Sequence, residues 1–130
     1  MFELDGVLRP AADRYSIQVD VASHLHPHPG QLARDEAADL PWWFLNHSCR
    51  PSVRIDGLRV VAVRDLVAGE QLSFDYDATE WSMASPFRCG CGHCDGRMIR
   101  GYAHLDEEER SRRAAYVAPH LRRLAGHGHA

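Results

Sequence analysis

The sequence predicts a mainly β domain of short strands and hairpins, followed by a cysteine-rich loop and a C-terminal helix. Three observations carry this reading. Residues 15–21 alternate strictly, with Tyr15, Ile17, Val19 and Val21 apolar and Ser16, Gln18 and Asp20 polar, the pattern of a strand with one buried face. Residues 52–55 and 58–63 flank Asp56-Gly57, a dipeptide that tolerates the positive backbone angles of a two-residue hairpin turn. Cys89, Cys91 and Cys94 crowd into the stretch R-C-G-C-G-H-C, too close in sequence to pair readily with one another as disulfides.

The remaining elements follow in chain order. Residues 24–30, H-L-H-P-H-P-G, hold two prolines and a glycine that forbid regular structure, so a solvated loop is expected, with His24, His26 and His28 on it. A short helical turn is expected within 35–45, ending in the apolar run Trp42, Trp43, Phe44 and Leu45 that anchors the next polar segment. Val60, Val61 and Val63 predict a second hairpin strand buried on both faces. Residues 67–70 form a turn, and Leu72, Phe74 and Tyr76 alternate as a last short strand. From Asp106 onward acidic residues come first and arginines last. That order complements a helix dipole, with Asp106 as the cap. Pro119 should kink or split that helix, and His127 and His129 fall in a glycine-flanked tail expected to be mobile.

A chain of 130 residues fits one domain and can bury a real core. No apolar run approaches the roughly 20 residues of a membrane span, and the start lacks a basic flank followed by an apolar stretch. An intracellular, cytoplasmic protein with no membrane partner is expected. The formal net charge of -3 argues against affinity for a nucleic-acid backbone and favours a basic protein partner. All 15 cationic side chains are arginine, because no lysine occurs anywhere in the chain.

Zinc is the natural occupant of three soft thiolates on a glycine-relieved loop. The fourth position is open to His93, to water or to Cys49, the only other cysteine. Cys49 is favoured, because it leaves no free thiol and closes the site. Four thiolates leave no place for substrate, so the metal is structural. It would clamp two segments distant in sequence, contributing on the order of 10 kcal/mol. The plainer alternative is an unmetallated loop with spare cysteines.

Three segments together resemble one family: F-L-N-H-S-C-R-P-S (44–52), G-E-Q-L-S-F-D-Y (69–76) and the cysteine cluster Cys89 to Cys94. They stand in the order found in SET-domain protein lysine methyltransferases with a post-SET zinc loop, and the resemblance runs over about residues 15–105. It implies a SET-type β-clip fold divided into a SET domain (1–85), a post-SET zinc loop (86–102) and a C-terminal helix and tail (103–130). Nothing before Tyr15 resembles the glycine-rich strands with which such domains begin, so a shortened member is expected. Ser52 stands where the family's motif has asparagine, which should weaken a local hydrogen-bond network, and Cys91 and Cys94 are closer than the usual spacing.

The resemblance also implies roles. Asn46 and His47 would hold S-adenosylmethionine, Cys49 would be the fourth zinc ligand with Cys89, Cys91 and Cys94, and Tyr76 would be the catalytic hydroxyl. Phe74 would shape the lysine pocket and influence how many methyl groups are added. Such a reaction needs a neutral amine aligned with a sulfonium methyl, and both burial and the adjacent positive sulfur favour the deprotonated amine. A methyltransferase without lysines cannot modify its own side chains, so its lysine-containing protein or peptide substrate must be another molecule. A non-catalytic zinc-stabilised binding module, or a redox-sensing zinc thiolate, are the competing readings. Trp81 and Phe87 flank the cysteine loop and either line a groove or pack against the metal.

Overall fold

The computed structural model describes residues 2–13, 16–28, 45–92, 94 and 96–127. The helical turn expected within 35–45 falls almost wholly outside these residues, as do Tyr15, Trp42, Trp43, Phe44, His93 and His129. The described chain runs through short strands β1 (Phe2–Glu3), β2 (Val7–Arg9), β3 (Ile17–Asp20), β4 (Ser23–His26), β5 (Asn46–His47), β6 (Val53–Asp56), β7 (Arg59–Ala62), β8 (Ser73–Phe74), β9 (Phe87–Arg88) and β10 (Met98–Ile99). Helices α1 (Glu107–Arg112) and α2 (Pro119–His127) end it. These strands form four small sheets ordered β1-β7-β6, β2-β4-β3, β5-β8 and β9-β10.

The Asp-Gly hairpin forms, one residue later than expected. Asp56 pairs with Arg59, so Gly57 and Leu58 are the two loop residues. Gly57 has φ 60 and Leu58 is not at positive φ, which is the requirement of a II′ turn. In β6, Val53 and Ile55 are fully buried between half-exposed Arg54 and Asp56. β7 is not buried on both faces: Val60 is buried and Val61 and Ala62 only half-buried. β1 adds to its other edge, pairing Phe2 with Val60. Residues 2–9 thus hold two strands where none was expected.

Two further expectations are corrected by long-range contacts. β4 is a strand, not a loop, and lies between β2 and β3. The prolines of the His-Pro repeat follow it, and buried His26 shares a 2.6 Å hydrogen bond between its Nε2 and the Ala11 carbonyl. In β3 the polar Gln18 is buried along with Ile17 and Val19. Its burial is satisfied from the segment after Tyr76: Trp81 N–H donates to Gln18 Oε1 at 2.7 Å, and Gln18 N–H donates to Glu80 Oε2 at 2.6 Å.

The main core joins Leu4, Ile17, Val19, Leu25, Val53, Ile55, Val60 and Phe74 across three sheets. A second cluster joins Tyr102, Val117, Ala118 and Leu121, with Trp81, Leu105 and Leu124 against it. Each fully buried aliphatic or aromatic side chain contributes about 1.5–3 kcal/mol. Two of the C-terminal expectations hold. Asp106 Oδ1 accepts from Glu109 N–H at 2.8 Å as the cap of α1, and Pro119 opens α2 after a break. His127 ends α2 and does not lie in a tail. No helix among the described residues is long and apolar enough to cross a membrane.

Glu80 is buried with one backbone donor as its main compensation, and burial pushes its carboxyl up to about 8. The unfolded chain ionises this group near the ordinary value, so wild-type stability should fall as pH rises from about 5 to 8. In urea titrations, Glu80→Gln should show a stability gain over wild type that widens across that window and levels above it. A gap independent of pH would contradict the buried neutral acid.

Candidate functional site

Parallel pairing of β5 with β8 builds the site, because it sets Asn46 opposite Ser73 and His47 opposite Phe74. The two motif segments therefore lie side by side. Ser48 N–H donates to the Phe74 carbonyl at 3.1 Å and Ser52 N–H to the Ser73 carbonyl at 3.0 Å. Buried Ser52 does not leave a weakened network: its Oγ accepts from Ser73 N–H at 2.9 Å and contacts the Gln71 and Ser73 carbonyls at 3.3 and 3.4 Å.

After Phe74 the strand stops and Tyr76 opens a 3-10 turn, Tyr76–Ala78, rather than ending a strand. The Tyr76 hydroxyl donates to the Leu45 carbonyl at 2.6 Å, and its backbone N–H donates to His47 Nδ1 at 3.1 Å. Since a backbone amide can only donate, Nδ1 is the acceptor and the neutral ring carries its proton on Nε2, which lies 3.5 Å from Cys49 Sγ. Burial, followed by the charges of Arg97 and Arg113, pushes His47 down to about 4. Burial, followed by Glu80, pushes Tyr76 up to about 12. Both side chains are neutral at physiological pH. Aromatic rings surround Tyr76: Phe74 at 4.5 Å, His47 at 5.3 Å and Phe87 at 5.6 Å between centroids. Trp81 packs instead on Tyr102, with the Arg110 guanidinium over both rings.

The hairpin of β9 and β10 carries the cysteine loop back to Cys49. Cys89 N–H donates to the Arg97 carbonyl at 2.9 Å to close it, and Gly92 and Gly96 turn the loop at φ 81 and 68. The four sulfurs of Cys49, Cys89, Cys91 and Cys94 all lie within 4.8 Å of one another, with Cys49 to Cys89 at 3.7 Å and Cys91 to Cys94 at 4.0 Å. A zinc ion about 2.3 Å from each of four thiolates requires sulfur separations of roughly 3.8 Å, so the cluster fits that ion. Burial pushes the Cys49 thiol well up and Cys89 up to about 11, and a bound cation is what would reverse this preference for the neutral thiol.

Sequence reasoning passed over the ionic frame around Tyr76. Arg113 Nε donates to Asp75 Oδ2 at 2.8 Å, and Arg113 Nη1 donates to Glu109 Oε2 at 2.8 Å. Arg97 pairs with Asp77 Oδ2 and reaches Glu109 Oε2 at 3.6 Å. Asp77 Oδ1 accepts from Gly101 N–H at 2.8 Å. Gly101 has φ 111, and a Cβ there would meet the Trp81 carbonyl oxygen at 2.6 Å, so only glycine permits this approach. The alternation of Asp75 and Asp77 about Tyr76, and the spacing of Glu109 and Arg113 on a helix, were the available signals; neither names its partner.

Asn46 and His47 line a polar cavity of about 510 Å³ with Ser48, Arg50, Ser73 and Phe87. Asn46 is exposed at this cavity, whereas the His47 ring is buried behind it. The structure thus brings Asn46, His47, Phe74 and Tyr76 together beside the four cysteines, whereas Trp81 packs elsewhere.

Comparison with known proteins agrees with this architecture. The SET domain family profile matches residues 11–77, and the chain belongs to the SET-domain family. It is similar to the methyltransferase flvH of Aspergillus flavus, at 38% identity over 87 residues, 62% of this chain and 47% of that protein. It also resembles the H3 lysine-4 specific histone-lysine N-methyltransferase of Schizosaccharomyces pombe, at 36% identity over 63 residues, 42% of this chain and 7% of that protein. A third relative is the histone-lysine N-methyltransferase set9 of Aspergillus oryzae, at 32% identity over 84 residues, 60% of this chain and 13% of that protein. The chain spans about half the length of the first of these and far less of the others.

Replacing one partner of the buried Arg113–Asp75 pair leaves a charge uncompensated. Arg113→Met should therefore cost about 3–5 kcal/mol in urea unfolding, and a loss below 1 kcal/mol would show that the pair is not needed. Cys49→Ser should lower both zinc content and stability; a full equivalent of zinc retained by that variant would remove Cys49 from the ligand set.

Proposed function

We propose that this protein transfers a methyl group from S-adenosylmethionine to the lysine amine of a separate protein. The observation that carries the reading is the parallel β5–β8 pairing, which sets the Asn46-His47 cavity wall beside the aromatic ring of Tyr76. The donor is a substrate with an electrophilic sulfonium methyl, and Asn46 and His47 are the residues assigned to hold it. Histone-lysine relatives support a protein substrate in trans.

Tyr76 is assigned the positioning of the amine. Its phenol is neutral and its proton is committed to the Leu45 carbonyl, which leaves oxygen lone pairs free to accept an amine N–H. That contact orients the nitrogen lone pair toward the methyl carbon. The new C–N bond forms as the C–S bond breaks, its electron pair passes to sulfur, and the resulting ammonium loses a proton to solvent. Phe74, Phe87 and His47 wall the site with rings that exclude water and tolerate a cationic sulfur. Phe74 in place of a hydroxylated ring leaves the lysine pocket more apolar, which suits successive methylation.

Zinc on Cys49, Cys89, Cys91 and Cys94 has a structural part in this scheme. It fastens the 86–102 loop against the Asn46–Cys49 segment and so fixes Phe87 against His47 and Tyr76, whose rings stand 5.8 and 5.6 Å from it.

Titration calorimetry of the full chain with S-adenosylmethionine should give a measurable affinity, and no binding down to millimolar concentration would reject the reading. Tyr76→Phe should keep the zinc content and the melting transition while lowering turnover on lysine peptides by about 10²-fold or more. Turnover equal to wild type would remove the hydroxyl from the reaction.

A further inference from the structure

The cavity beside Asn46 has a charge imbalance that the proposed roles leave unused. Among the described residues its lining holds two guanidiniums, Arg50 and Arg64, and no carboxylate. Arg64 is committed, with Nη2 2.6 Å from Glu70 Oε2. Arg50 has no ion-pair partner among the described residues, and this exposed residue lines both this cavity and a neighbouring one. A cavity so arranged takes an anionic group.

The Arg50 backbone is firmly placed. Its N–H donates to Ser48 Oγ at 3.0 Å, the preceding Cys49 sits in the sulfur cluster, and the following Pro51 and Ser52 are buried. The guanidinium is thus carried by a fixed backbone segment, so the ordering on ligand engagement is confined to its side chain. The cavity also has polarity. Phe87 lines it and touches the Tyr76 ring at 5.6 Å, an aromatic end suited to a sulfonium, while Arg50 supplies a cationic group.

We infer that Arg50 is the counter-ion of the methyl donor's α-carboxylate, an assignment that rests on the donor reading above. The donor carries a sulfonium, an ammonium and a neutral nucleoside besides that carboxylate, so the carboxylate is the one group a free guanidinium can pair with. This contact also sets the donor's direction, with its amino-acid end at Arg50 and its sulfur toward Phe87 and Tyr76. Arg50 is a positioning residue and touches no reacting atom.

Two ligands separate this contact from the rest of the site. S-adenosylhomocysteine has the carboxylate; 5′-methylthioadenosine keeps the nucleoside and the thioether but has no amino-acid end. Arg50→Gln should weaken S-adenosylhomocysteine about tenfold or more and leave 5′-methylthioadenosine within twofold of wild type, with Arg50→Lys recovering part of the loss. In the wild type, raising the salt concentration should weaken the first ligand and spare the second, a measurement that needs no variant. Zinc content is read on each protein to verify the fold. Unchanged affinity for S-adenosylhomocysteine in Arg50→Gln overturns the assignment while the donor reading stands. Equal losses for both ligands overturn it in favour of a contact to the nucleoside. A wild type that binds neither ligand overturns the donor reading itself.

Discussion

Tyr76 is flanked in the chain by Asp75 and Asp77, two carboxylates that are almost entirely buried. A carboxylate so far from water needs a cation or several donors to remain in place, and neither is available within the segment itself. Arg113, just past the end of α1, meets Asp75, and Arg97, at the close of the cysteine-loop hairpin, meets Asp77. Glu109 touches both arginines and joins the two pairs into one frame. The backbone that presents the Tyr76 hydroxyl is therefore fixed by two segments that follow it in sequence. Without that frame the β5–β8 pairing would still align the motif residues, but the 3-10 turn beneath the phenol would lose its supports.

The same frame explains how a group of four cysteines can sit beside a candidate donor cavity. Four thiolates about one divalent ion leave a net charge of about −2. Arg97 reaches toward Cys49 as well as Asp77, and both partners hold its guanidinium charged. The arginine-only composition suits this role, because a guanidinium can serve two acceptors in fixed geometry where an ammonium acts as a point charge. Arg50 lines a cavity together with Cys49, Cys94 and Arg97 yet has no ion-pair partner among the described residues, and that difference between neighbouring arginines separates a structural cation from one available to a ligand.

The N-terminal sheet is attached through polar groups as well as through the core. Gln18 N–H donates to the Glu80 carboxylate and the Gln18 side-chain oxygen accepts from Trp81 N–H, across 62 and 63 positions of sequence. A glutamine on an alternating strand reads as a solvent-facing residue because alternation reports only the average face. Here the second face of β3 meets the segment after Tyr76 and helix α2, and its polar side chain becomes a clamp. The segment at His24 and His26 reads as a loop because of its prolines, yet these follow strand β4 and end it without preventing it.

What the sequence determined by itself was local or chemical in kind. The Asp56-Gly57 hairpin, the Asp106 cap, the break at Pro119, the thiolate ligand set and the motif segments around His47 and Tyr76 could all be read from neighbouring residues. Each depends on backbone angles or ligand types that the nearby residues fix. The tertiary structure decided the partners of Asp75, Asp77 and Gln18, the strand character of β4, and that Arg50 has no ion-pair partner among the described residues. The physical reason is that a buried polar group is stable only where a distant donor or charge arrives to meet it, and the order of residues along the chain does not say which one will.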